Sequence, residues 1–155
     1  MLIEESFTVE APPEAVWRVF EDLARVARCV PGVQSVEVLG PDHYKVIATQ
    51  KVGFISATFE MTTRVETRQP VRVLALASTG KSVKGAVGTL RSRDRVEFEP
   101  TNEGGTRVRL SSDLAVGGML GALGHKAIAS KSKEITEKFA RALRAEIQSA
   151  TAPGA

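Results

Sequence analysis

The chain has one cysteine, Cys29, and two histidines, His43 and His125, among 155 residues. A single thiol excludes an internal disulfide and a multi-cysteine metal site. His43 falls in a turn and His125 in a glycine-rich stretch, so with Cys29 they have neither the ligand types nor the spacing of a structural zinc site. Aromatic residues make up 5% of the chain, too few to build the stacking platforms that single-stranded nucleic acid requires, so no nucleic-acid partner is expected. No apolar run approaches the roughly 18 to 20 residues that span a bilayer. Met1 to Glu5 holds no basic segment leading into an apolar one, so no secretory leader is expected and a cytoplasmic setting is the default. Thr79-Gly80-Lys81-Ser82 ends like a phosphate loop. The glycine that motif needs five positions before Gly80 is Ala75, and no strand-to-helix crossover surrounds it.

What is present is alternation followed by one long helical pattern. Ile3, Glu5, Phe7 and Val9 mark a first strand, and Ala11-Pro12-Pro13 breaks it. Val16, Trp17, Phe20, Leu23 and Ala24 continue at helical spacing, read as two short helices ending near Cys29, where Pro31-Gly32 turns the chain. Strands follow over 33–39, 44–52, 55–67, 71–78, 89–99 and 106–116, with Gly80 to Gly88 read as a mobile loop or an irregular edge and Asn102 to Gly105 as a hairpin turn. After Gly117-Gly118 a single long amphipathic helix carries Leu120, Ile128, Ile135, Phe139, Leu143 and Ile147 on one stripe, with Lys and Glu pairs opposite. Thr151 to Ala155 reads as a disordered tail, leaving one domain over residues 1–149. Consecutive strands with short turns imply an antiparallel meander, and one long helix on its face implies an α+β layer architecture. Charge is uneven: net −2 over the first 80 residues and +5 over the rest. Lys81, Lys84, Arg91, Arg93 and Arg95 form a basic cluster diluted by Asp94, Glu97 and Glu99. It is either a solvated sheet face or a contact for an anionic membrane or partner.

Four segments resemble one family. Phe7-x-Val9-x-Ala11-Pro12-x-Glu14-x-Val16-Trp17, Cys29-Val30-Pro31-Gly32-Val33, Val52-Gly53-Phe54-Ile55, and Gly104 to Val108 with Val116-Gly117-Gly118 are similar to the CoxG family, named for a subunit of carbon monoxide dehydrogenase. That family lies within the START-like, or SRPBCC, superfamily. The resemblance implies a helix-grip fold: a curved antiparallel sheet of about seven strands wrapped around a long C-terminal helix, with two short helices after the first strand. It implies a hydrophobic cavity between sheet and helix. It also implies a non-enzymatic accessory role beside a molybdenum hydroxylase or related dehydrogenase, recruiting it to the membrane or supplying a quinone. Longer family members add a proline-rich linker and an apolar C-terminal segment, so anchoring by a tail is not expected from residues 151–155. A peripheral position at the inner face of an anionic membrane remains open.

The residues themselves support a cavity. Phe59, Met61, Val108, Leu110, Leu114 and Leu120 share the inward side, and the small Ala48, Ala57, Ser112 and Gly124 among them leave volume unfilled. The expected occupant is an apolar small molecule, a quinone or other lipid, with no metal and no other cofactor. Candidate contacts are Phe54, Phe59, Met61, Leu110, Leu114, Met119, Leu120, Leu123 and Ile128. Gln50 and Ser112 are read as the inward polar groups, and neither is a good general base. A Cys29–His125 pair across the cavity mouth competes with a simply buried Cys29. Gly117, Gly118, Gly121 and Gly124 are either a hinge for the mouth or sites of close packing. Two rival functions stand beside the carrier: a START-like enzyme of the cyclase type, and a solid-core docking module.

Overall fold

A computed structural model describes residues 1–151 of the chain. The elements run β1 (Leu2–Val9), α1 (Pro13–Phe20), α2 (Leu23–Ala27), β2 (Val33–Gly40), β3 (His43–Val52), β4 (Ile55–Gln69), β5 (Val73–Gly85), β6 (Gly88–Pro100), β7 (Thr106–Gly117), α3 (Gly118–Gly121) and α4 (His125–Thr151). All seven strands join in one antiparallel sheet, ordered β1-β7-β6-β5-β4-β3-β2. β2 through β7 is a meander, and β1 pairs with β7, so α1 and α2 carry the chain from one sheet edge to the other. Register shifts between Thr58 and Phe59 and between Val65 and Thr67 mark bulges in β4, the device that bends a long strand.

Local sequence explains the helix pair. Pro13 stands in the first turn of α1, where its missing N–H is no loss, and Glu14 lies near the positive helix end. The Asp22 carboxylate caps α2 by accepting from the Arg25 N–H at 3.3 Å. Both helices pack inward. Phe98 of β6 meets Trp17 and Phe20 edge-on, with ring centroids 5.4 and 5.0 Å apart, a preferred aromatic geometry. Val16, Leu74, Val108, Leu143 and Ile147 complete this main core. A second, smaller cluster of Ala57, Phe59 and Leu120 lies toward α3.

Three expectations are corrected. Residues 80–85 extend β5 rather than looping, and Gly80 is there for close approach: a Cβ on it would lie 2.7 Å from Met61 Cγ. The closing helix is two helices. Gly124 at φ +90° separates α3 from α4, a backbone that L side chains resist. Finally, α4 continues through Thr151, so residues 150 and 151 are helical, while the rest of the expected tail, residues 152–155, lies outside the described residues.

Candidate ligand cavity

Between sheet and helix lies a cavity of about 480 Å³, within the range of ordinary small-molecule sites. Its walls come from both core clusters: Phe20, Leu74 and Val96 on one side, Phe59, Leu120 and Leu123 on the other. The reason it stays open is legible in α4. Phe139, Ala140, Leu143 and Ile147 in the second half are buried, whereas no residue from 125 to 138 is. The second half is also tied down. Arg25 of α2 donates to the Glu146 carboxylate at 2.5 Å and to its carbonyl at 3.2 Å. Arg144 donates to the Thr8 carbonyl at 3.0 Å and lies over the Phe7 ring at 5.8 Å. The first half bridges the cavity instead of filling it. Its middle is held to β1 through Glu5, which accepts from Thr136 Oγ1 and, at 3.5 Å, from Ser132 Oγ.

The wall is mainly apolar, and a polar band crosses the middle of the sheet. Thr63 and Ser78 face each other on β4 and β5 and share a hydrogen bond of 2.7 Å. Ser92 and Asp94 follow on β6, and Ser112 stands opposite Asp94 on β7. Ser92 Oγ donates to Asp94 Oδ2 at 2.9 Å. Burial pushes the Asp94 carboxyl above the usual aspartate range, against hydrogen bonds from Ser112 and Ser92 that oppose the rise. The expectation that Gln50 and Ser112 are the only inward polar groups is therefore corrected. Asp94, Glu5 and Lys131 also line the cavity. Gln50 lines it too, but its Nε2 is engaged by the Pro31 carbonyl at 2.9 Å. The signal for Asp94 was present in the alternation Leu90, Ser92, Asp94, Val96, Phe98, which puts it on the side opposite Arg91, Arg93 and Arg95. Reading the segment as one charge cluster ignored that parity.

Of the candidate contacts, Phe59, Met61, Leu110, Leu114, Leu120, Leu123 and Ile128 line the cavity. Phe54 and Met119 do not: both are exposed, Phe54 at the β3–β4 turn and Met119 on α3. Val108 is buried in the main core. Cys29 is buried there as well, its Sγ 3.6 Å from the Arg25 carbonyl, while His125 is exposed at the start of α4. Burial first, then the Glu146 carboxylate, raise the thiol above its ordinary value, with Arg25 opposing, which makes it a poor nucleophile. The glycines divide by role. A Cβ on Gly121 would lie 2.3 Å from the Val116 carbonyl, so Gly121 packs α3 onto β7, and an alanine there displaces the helix rather than stiffening it. Gly124 has open space around it and supplies the turn.

A family model described as the CoxG subunit of carbon monoxide dehydrogenase matches residues 6–148. The chain belongs to the CoxG family. Among curated proteins, none matches it. Solved structures place the CoxG chain in the START-like fold. A conserved protein from Geobacillus kaustophilus superposes with a TM-score of 0.86 at 21% identity, covering 96% of each chain. The Zhui aromatase/cyclase from Streptomyces sp. R1128 gives 0.68 at 18% identity, covering 99% of this chain and 98% of its own. A START superfamily protein from Mycobacterium smegmatis gives 0.68 at 15% identity, covering 97% and 99%. No helix among the described residues is long and apolar enough to cross a membrane.

Proposed function

We propose that this CoxG protein carries an apolar small molecule, a quinone or other lipid, in its central cavity and serves a molybdenum-containing dehydrogenase as an accessory. The observation that carries the reading is the cavity of about 480 Å³ walled by Phe59, Met61, Leu110, Leu120 and Leu123 in a chain of this family. Apolar burial of roughly 25 cal/mol per Å² is enough to hold a lipid-sized ligand by shape with few polar contacts. Native mass spectrometry of protein purified from its own host is the direct test: added mass of an extractable quinone or lipid is expected. Protein that is empty from its host and takes up no quinone or lipid in vitro sinks the carrier.

The exposed Phe54 and Met119 fit the same reading as an outer contact. The segments 51–56, 82–88 and 117–126 gather at one end of the molecule: Ala86 N–H donates to the Ser56 carbonyl at 3.0 Å, and Met119 N–H to the Val87 carbonyl at 2.9 Å. Phe54, Val83, Val87 and Met119 are exposed there, with Lys51, Lys84 and Lys126 and no acidic residue in those segments. Apolar side chains ringed by lysines suit an anionic membrane surface from which a quinone is loaded.

One observation favours a second reading. Asp94 is a carboxyl inside the cavity with its titration displaced upward, the kind of group a cyclase-type enzyme uses as acid or base. The two readings part on the fate of the bound molecule. A carrier returns it unchanged, and an enzyme returns a product of altered mass or ring count.

A further inference from the structure

We infer that Asp94, with Ser92 and Ser112, is the polar anchor of the cavity, hydrogen-bonding a carbonyl or hydroxyl oxygen on the head of an otherwise apolar ligand. This rests on the carrier reading and specifies which end of the ligand goes where. The cross-strand register fixes the surroundings. Leu76 and Ser112 flank Asp94 on the neighbouring strands, and Leu90, Val96, Leu110 and Leu114 line the cavity around it. Among the described residues no cation pairs with Asp94; its partners are two hydroxyls. Each serine hydroxyl has one proton to donate, while a carboxylate offers about four acceptor sites. Two serines therefore leave acceptor sites free beside the two hydrogen bonds already made. An oxygen on a ligand adds a partner in either protonation state: a hydroxyl donates to the carboxylate, and a carbonyl accepts from the carboxylic acid.

The rows on either side receive the rest of the molecule. Toward α2 the wall is Phe20, Leu23, Val26 and Leu74. Toward α3 the wall is Met61, Leu90, Val116, Leu120 and Leu123, all cavity-lining and beside the exposed end that carries Phe54 and Met119. The head sits at mid-sheet against Asp94, with apolar wall on both sides of it for the body. The polar band thus selects an oxygen-bearing head over a plain hydrocarbon of the same shape.

A matched pair of probes tests this. Menadione and 2-methylnaphthalene share a carbon skeleton, and only menadione has carbonyl oxygens. Binding of each to the full chain is measured by isothermal titration calorimetry for wild type, Asp94→Leu and Asp94→Asn, with circular dichroism melts to confirm folding. The expected result is that Asp94→Leu weakens menadione about tenfold, the scale of one lost hydrogen bond, and leaves 2-methylnaphthalene unchanged or tighter. Asp94→Asn, which replaces the acid O–H donor with an amide N–H, is expected to hold menadione within about threefold of wild type. If Asp94→Leu does not fold, Asp94→Ala carries the same expectation without added bulk. Menadione binding unaffected by loss of the carboxyl overturns the anchor while leaving the carrier standing, and so does equal weakening of both probes. A wild-type protein that binds neither probe overturns the carrier reading, and the anchor with it.

Discussion

At the residue scale, the cheapest test of the architecture is Thr106. Its hydroxyl is fully buried and donates to the Ala11 carbonyl at 2.7 Å, tying the start of β7 to the segment that leaves β1 for α1. Thr106→Val keeps the shape and strands that carbonyl, so a loss of about 1–3 kcal/mol is expected in urea unfolding; a change within error would mean that water reaches Ala11. Asp94 makes the opposite prediction. Its folded-state pKa is raised, chiefly by burial, so the group favours the folded state when protonated. That contribution is fully present below the unfolded value of about 3.9 and is lost as pH rises through the raised folded value. Above the unfolded value the group therefore burdens the fold relative to a neutral side chain. Asp94→Asn is expected to raise the melting temperature at pH 7 and to lose that advantage near pH 3. The other charged residues along the cavity are Glu5 and Lys131, with Arg95 turned to the outer face and paired with Glu97; all three are kept in both proteins, so the only group changed is the one at position 94. Equal effects at both pH values would show that the amide itself, rather than the titration, sets the difference.

At the element scale, α4 is two structures in one helix. Its second half is clamped by Phe139, Leu143 and Ile147 and by the Arg25–Glu146 pair, while residues 125–138 include no buried side chain. Local opening draws on regions with few buried apolar contacts. Backbone hydrogen exchange is therefore expected to be fast from Gly118 to about Ala129 and slow from Phe139 to Ile147, and to slow in the first stretch when a quinone is bound. Uniform protection along α4, indifferent to ligand, would show that its first half does not open. Gly124→Ala forces a Cβ onto φ +90° and is expected to lower stability by about 1–2 kcal/mol. Strands such as β1 and β6 were readable because period-two alternation survives in them, and the second half of α4 was readable from its stripe. The break at Gly124 was not, because the stripe from Leu120 to Ile128 is in phase with a continuous helix, and only backbone geometry shows the interruption. The extension of β5 through Gly80 was hidden for a related reason. Its glycines resemble a loop, but Gly80 is required by the close approach of Met61, a contact between strands that spacing within one strand cannot reveal. In the site, apolar wall residues such as Phe59 and Leu110 followed from parity. Asp94 was missed because its charge was grouped with its neighbours' charges instead of with its own face.

At the scale of the whole molecule, the distribution of charge and exposed apolar surface gives the protein a direction. The basic excess of the second half of the chain is partly neutralised on the outer sheet face, where Glu97 pairs with Arg95 at 3.0 Å and Glu99 with Arg109 at 3.1 Å. Basic charge is unopposed within segments 51–56, 82–88 and 117–126, which contribute three lysines, no acid, and the exposed Phe54, Val83, Val87 and Met119. Each lysine near an anionic surface contributes about 1 kcal/mol, and that attraction weakens as salt screens it. The apolar side chains contribute a part that salt does not screen. Two components make a specific signature. Sedimentation with phosphatidylcholine vesicles containing phosphatidylglycerol is expected to pull the protein down at low salt and to release most of it at high salt. Vesicles of phosphatidylcholine alone are expected to retain little. Phe54→Ser with Met119→Ser is expected to weaken binding about tenfold at every salt concentration, since it removes the unscreened part. Lys51→Gln with Lys84→Gln is expected to flatten the salt dependence instead. Neither pair lines the cavity, so quinone affinity in detergent-free solution is expected to stay at the wild-type value while transfer from quinone-loaded vesicles slows. If transfer proceeds at the wild-type rate in both double variants, this end of the molecule is not the loading face, and the cavity fills by another route.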